Sequence, residues 1–146
     1  MLALAVCLST LTLASAPAEA RPSAASVAGY EAKVISAINA ERARYGRGGL
    51  ASWSCMDRYA TAWSAHLART GRMTHRSMAV VLRGCAATRV AENLARGGVG
   101  PERVVAMWMA SPGHRANLLD GELTNVGVAA TYARGQWTVV ANMGRP

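Results

Sequence analysis

Trp108-Met109-Ala110-Ser111-Pro112-Gly113-His114-Arg115-Ala116-Asn117-Leu118-Leu119 places a histidine in the first turn of a helix whose start is marked twice. Ser111 is a favourable N-cap, and Pro112 suits the first helical position, where a missing N–H costs nothing. His114 then falls at the third helical position, near the positive end of the helix dipole. That placement favours a neutral imidazole able to accept a hydrogen bond or ligate a metal. Two other polar groups are available to meet it: His75 in Met73-Thr74-His75-Arg76 and Glu92 in Val90-Ala91-Glu92-Asn93-Leu94.

Upstream, apolar or aromatic residues recur at Val27, Tyr30, Val34, Ile35 and Ile38 before Gly46-Arg47-Gly48-Gly49, predicting a first helix over about residues 28–45. A second, over about 53–70, has an apolar face through Cys55, Tyr59, Ala62, Trp63, His66 and Leu67, stops at Gly71, and delivers His75 onto its exit loop. Met78 to Leu82 is an apolar run too short to classify by period, and Arg83-Gly84-Cys85 reads as a turn. A short strand is expected near Arg89 to Ala91, then a glycine-rich loop, a third helix over about 102–110 burying Val104, Val105 and Trp108, and the short helix of His114. Two β runs, Val126 to Tyr132 and Gln136 to Asn142, read as a closing hairpin around Ala133-Arg134-Gly135. Helices first and strands last predict an α+β domain with helices covering an antiparallel sheet.

The first twenty residues read as a secretory signal: an apolar run from Leu2 to Ala16, then a small-x-small pattern ending at Ala20. The run is shorter than the roughly 20 residues a membrane span needs. Cleavage would leave 126 of the 146 residues, enough for one domain, with 21–28 as a short flexible leader and 29–146 as the domain. It would also remove Cys7 and leave Cys55 and Cys85. In an oxidising compartment such a pair is most simply a disulfide looping around His75, worth about 3–4 kcal/mol; two separate buried thiols are the alternative.

Sixteen basic residues, fifteen of them arginine, stand against eight acidic ones, a formal charge of +8 that becomes +9 once Glu19 leaves. This balance favours anionic envelope surfaces or acidic polymers as partners. It does not predict nucleic acid, because the arginines are scattered and no recognition motif is present. The protein is expected to be a secreted or periplasmic monomer with no anchor in its mature chain.

In this order the segments resemble the CAP superfamily, also called the SCP or PR-1-like domain, in its bacterial secreted form. The resemblance runs from Ala37 to Gly144. It rests on Asn39-Ala40-Glu41-Arg42 followed by Gly46 to Leu50, Thr74-His75, Ala91-Glu92-Asn93-Leu94, Trp108 to Asn117, Asn125-Val126-Gly127-Val128, and a closing strand through Trp137. It implies an α–β–α sandwich: a small central antiparallel sheet flanked by about four helices. It also implies a cleft lined by two histidines and two acidic residues, with divalent metal binding associated with the histidine pair. His75 and His114 match the histidines and Glu92 the first acid. The second acid stands three residues after a tryptophan in many members; here that position is Ser111, so the tetrad is incomplete.

Two imidazoles and one carboxylate are the donor types that hold zinc with an open position for water. Their spacing is wholly non-local, unlike a metal motif on one helix. The bland reading has Glu92 accepting backbone N–H groups while the histidines order the loops around it. A Ser111-His114-Glu92 triad can be drawn, yet helix capping already accounts for the serine, and no nucleophile elbow is present. His66 reads as a core histidine, Asn93 as a local backbone partner, and Asn39 with Arg42 as an anchor from helix one to a neighbouring loop. The four tryptophans read as core mass in a chain without phenylalanine.

Three functions compete on these residues. The first is a non-enzymatic binding or interaction module whose cleft (His75, Glu92, Ser111, His114) takes a small apolar ligand, a lipid, or a divalent metal such as zinc. The resemblance motivates it, since lipid and sterol binding and wall or host interaction recur in the family. The second is a metal-dependent hydrolase on the same cleft, and the third a purely structural envelope protein.

Overall fold

Ser23, in extended conformation, accepts the Ser26 N–H on its side chain and opens the first helix, α1 (Ala24–Arg44). The structure is a computed structural model and describes residues 21–146. Along α1 the buried residues are Tyr30, Val34, Ile38 and Arg42, a stripe four residues apart that turns one face inward. A two-residue strand, β1 (Ala51–Ser52), leads into α2 (Ser54–Thr70), which ends on Gly71 in the left-handed region with its N–H returned to the Leu67 carbonyl. After the His75 loop come α3 (Met78–Gly84), β2 (Arg89–Gly97), α4 (Pro101–Ala110), α5 (Pro112–Leu119), β3 (Asn125–Ala133) and β4 (Gln136–Arg145).

The sheet has the order β1-β3-β4-β2, with β4 antiparallel to both of its neighbours and β1 parallel to β3. Alternate residues of β4 serve two cores. Val139, Ala141 and Met143 pack with Tyr30, Val34, Ile38, Val104, Val105, Trp108 and Leu118, so α1, α4 and α5 cover one face. Val140 packs with Ala60 and Leu67 of α2 on the other. Beside α2, Cys55, Met56, Val81 and Cys85 form a third cluster that seats α3, and the Cys55–Cys85 disulfide joins the two helices with Cα atoms 5.7 Å apart. The result is a three-layer α–β–α sandwich, as expected, with five helices among the described residues where about four were expected, and a mixed rather than antiparallel sheet. β1 is the reason for the second difference: two residues carry no readable period.

β1 covers only the start of β3, pairing at Asn125 and Val126. Beyond it, carboxylates replace a strand: Asp57 accepts the Val128 N–H at 3.2 Å and Glu31 the Ala130 N–H at 2.8 Å. Gly127 permits the close approach this needs, since a Cβ there would lie 2.2 Å from the Asp57 backbone nitrogen. Both carboxyls are pushed above their ordinary pKa, first by burial.

Several local expectations need correction. The stretch read as a flexible leader carries the first turns of α1; its alanines are strong helix formers and its serine supplies the cap. Met78 to Leu82 is helical, tied down by the disulfide and by Val81, which is fully buried. The strand expected near Arg89 to Ala91 runs on to Gly97 because β4 pairs with its whole length. The inner face of α2 is Cys55, Met56, Ala60, Ser64, Leu67 and Ala68, while Ala62 is exposed. His66 is therefore no core histidine: it stacks on Trp63 at 4.6 Å between ring centroids and faces Arg69 at 3.3 Å. Residues 1–20, where the secretory signal and Cys7 fall, lie outside the described residues. Among the described residues no helix is long and apolar enough to cross a membrane.

Candidate functional site

β2 is an edge strand, and the candidate cleft lies along its open side. On one face α5 is fastened to it by asparagines. Asn93 donates from Nδ2 to the His114 carbonyl at 3.0 Å, and Asn117 donates from Nδ2 to the Asn93 Oδ1 at 3.0 Å and to the Glu92 carbonyl at 3.3 Å. Asn93 thus ties the sheet to a distant helix and does not bond local backbone, as its sequence context implied. Just beyond, the Trp108 indole N–H donates to the Leu94 carbonyl at 2.9 Å. Outward-facing carbonyls of an edge strand need such partners, and here side chains supply them.

On the other face the His75 loop is held by two aromatic residues of α2. The Trp63 indole N–H donates to the Thr74 carbonyl at 3.1 Å. Arg76 lays its guanidinium over the rings of Tyr59 and Trp63, 4.8 and 5.2 Å from their centroids, and donates to the Tyr59 carbonyl at 3.1 Å. His75 is thereby aimed at β2, where its Nδ1 meets Glu92 Oε1 at 2.7 Å. The partners are unequal in exposure: the His75 side chain is 57% exposed and that of Glu92 1%. An ionised Glu92 accepts the Nδ1 proton and leaves Nε2 as the lone-pair nitrogen, so the buried acid fixes the tautomer of an open ring.

His75, Glu92, Ser111 and His114 line one cleft of about 500 Å³, together with Met78, Val90, Ala91, Gly113 and Asn117. All four site residues chosen from sequence border the same hollow. Their detailed roles differ from expectation at two places. Ser111 occupies the N-cap position of α5, and its carbonyl accepts the Arg115 N–H, but its side chain makes no capping bond. Nor does its hydroxyl bond either histidine among the described residues, so the triad drawn on paper is not formed. Glu92 is committed through Oε1 to His75, and no group of three or more His, Cys, Asp or Glu side chains that could hold an ion occurs among the described residues. The residues therefore do not fit a three-ligand zinc set. What they build is a pair of imidazoles, one of them backed by a carboxylate.

Sequence reasoning missed Arg76, Asn117 and Asn142. Arg76 and Asn117 stand beside recognised residues, yet only the fold shows what they hold. Asn142 is opposite Glu92 in the sheet register, is fully buried, and has no hydrogen-bond partner for either amide atom; Glu92 Oε2 also lacks one.

Burial pushes the Glu92 pKa above its ordinary 4.5, against the pull of the His75 hydrogen bond and charge and of the Arg76 backbone and guanidinium. Burial lowers His114 below its ordinary 6.5, and the His75 charge acts in the same direction. The two have opposite consequences for stability. Glu92 binds its proton more tightly folded than unfolded, so its contribution is complete below 4.5 and declines as pH rises through the raised value. His114 binds its proton less tightly folded, so its contribution is complete above 6.5 and is lost as pH falls through the lowered value. Melting temperature against pH should therefore lose part of its acid-side fall in His114→Gln, and part of its decline above pH 4.5 in Glu92→Gln. Profiles parallel to wild type in both variants would contradict these assignments.

The model of the cysteine-rich secretory protein family, CAP, matches residues 35–143, nearly the whole sandwich and every residue of the cleft. This chain belongs to the CAP family. The Bacillus subtilis protein YkwD, itself described as uncharacterized, is 32% identical over 136 residues, which is 88% of this chain and 50% of YkwD. The chain thus spans half the length of that relative. Among solved structures, an extracellular SCP-domain protein from Bacillus anthracis superposes with a TM-score of 0.73 at 24% identity, over 82% of this chain and 41% of that one. An outer surface protein of Borrelia burgdorferi gives 0.70 at 20% identity, over 77% and 89% of the respective chains. At these identities the likeness is one of fold, and this CAP domain shares their architecture.

Proposed function

We propose that this CAP-domain protein is an exported, non-enzymatic binding module that takes a small ligand in the cleft along the β2 edge. One observation carries the reading: three polar side chains from distant segments border one open hollow, and the buried acid serves to orient an exposed imidazole. In this arrangement His75 Nε2 and the neutral His114 ring offer hydrogen bonds to a polar group, while Met78, Val90 and Ala91 supply apolar wall for its attached chain. Export is supported by the apolar leader, by a disulfide within the domain, and by relatives described as extracellular or outer surface proteins.

The test begins with protein purified from culture medium under native conditions and extracted with organic solvent for mass spectrometry. Wild type should yield a small molecule in near-stoichiometric amount. The His75→Ala/His114→Ala double variant should lose it while keeping a cooperative melt, because both rings are partly exposed. A ligand retained by the double variant moves the site elsewhere. No extractable molecule in either protein would favour the reading in which the polar cluster only orders loops.

A further inference from the structure

A second hollow is larger than the histidine cleft. It is a groove of about 710 Å³ between the C-terminal end of α2, the β3–β4 hairpin and the residues leading into α1. Its floor is lined by the small side chains of Ala65, Ala68, Ala130 and Ala133, and its rim carries Arg21, Arg69 and Arg134. All three arginines are exposed, and none forms an ion pair among the described residues. Among the described residues no acidic side chain lines the groove. The carboxylate bonded to its strand, Glu31 of α1, is half-buried and occupied with the Ala130 N–H.

The hairpin adds an independent observation. Arg134 has φ +53° and Gly135 φ +73°, so the two-residue turn needs two left-handed residues, and arginine holds a position that Asn, Asp or Gly fills at lower cost. That unfavourable choice sends a guanidinium back over the end of α2, where its one hydrogen bond among the described residues is a long 3.5 Å contact to the Ala68 carbonyl. Arg69 is similarly lightly held, its guanidinium meeting the His66 ring at 3.3 Å and forming no ion pair among the described residues. By contrast, Arg96, close by on β2, is consumed in bonds to the Leu67 and Gly71 carbonyls and to Thr138. Structural and unemployed arginines thus stand side by side at this end of the sandwich.

We infer that this groove binds a soluble phosphate-bearing oligoanion, with Arg69 and Arg134 as its principal ligands and Arg21 as a third. Guanidinium forks match phosphate oxygens in charge and geometry, and three of them around an open-ended trough suit a chain of phosphates better than a single ion. A lipid surface fits less well. The exposed large apolar residues, Tyr45, Met73, Val80 and Met107, all lie off the groove, and the larger apolar side chains beside the arginines, Val27 and Tyr132, are half-buried in its wall. This site is separate from the histidine cleft, and the two readings stand or fall independently.

Sodium tripolyphosphate, titrated into the full chain at about 150 mM salt and followed by ¹H–¹⁵N NMR, tests it. The amides of Ala68, Arg69, Arg134 and Gly135 should shift together, and affinity should fall as salt rises. Arg69→Gln/Arg134→Gln should weaken binding about tenfold or more, the scale of two lost charge-assisted hydrogen bonds. Lys33→Gln/Arg103→Gln removes the same net charge at exposed positions elsewhere on the surface and should change it less than about twofold. Equal weakening by the two pairs would reduce the effect to net charge and overturn the site. So would an absence of shifts at the hairpin, or binding confined to phosphatidylglycerol vesicles and lost in the Arg69/Arg134 variant, which would make the groove a membrane contact.

Discussion

Arg42→Ala is expected to destabilise the domain by about 4 kcal/mol or more, a large part of the 5–15 kcal/mol that holds a typical domain together. The side chain is 1% exposed, and its guanidinium donates to four carbonyls: Gly48 at 2.7 Å, Leu118 at 2.8 Å, Asp120 at 3.0 Å and Leu123 at 3.1 Å. These acceptors belong to the loop after α1, to the last turn of α5 and to the segment joining α5 to β3. Truncation strands the Leu118 and Leu123 carbonyls in the interior at about 1–3 kcal/mol each and leaves a void where the stem had packed. Lysine is no remedy, since a point charge cannot reproduce the fork. Urea unfolding of Arg42→Ala, Arg42→Met and Arg42→Lys checks this. Losses below about 1 kcal/mol in all three would mean that water takes the guanidinium's place at little cost.

The second large effect is expected at Trp108. It is 1% exposed, the largest fully buried side chain in the structure, and its indole N–H satisfies the Leu94 carbonyl on the open edge of β2. Trp108→Ala should cost about 3–5 kcal/mol through cavity formation, whereas Trp108→Phe should keep most of the packing and lose about 1–2 kcal/mol with the hydrogen bond. Because α4 and α5 meet immediately after this residue, the alanine variant should also shift the His114 ring resonances, even though Trp108 is absent from the cleft wall. Unfolding curves and imidazole NMR together separate the two consequences. An unmoved His114 signal in a clearly destabilised variant would show that α5 is positioned by Asn93 and Asn117 without help from the core.

The residues that decide architecture are legible because their signals are local. Helical spacing marks α1 and α4, Ser111-Pro112 marks the start of α5, and the alternation either side of Ala133-Arg134-Gly135 marks the final hairpin. The inner face of α2 is where the sequence misleads, because Tyr59, Trp63 and His66 are larger than Ala60, Ser64 and Ala68, and size suggests burial. In the fold the small residues let the helix lie close to the sheet, while the aromatic ones lie at its flank and grip the His75 loop. The Ser111 cap shows the complementary error: residue type predicts the position, and the side-chain bond that usually goes with it is not made.

From the order of its motifs alone, the chain declared a CAP sandwich, a cysteine pair and three polar residues able to share a cleft, because each of those signals is written within a few neighbouring residues. The tertiary structure decided the rest: that Glu92 backs His75 and completes no three-ligand ion site among the described residues, that two carboxylates finish the edge of β3, and that three arginines without ion pairs among those residues meet in one groove. Those outcomes depend on which distant side chains come within hydrogen-bond or charge range of each other. Such distances are set by how the layers stack, and no local pattern along the chain encodes them.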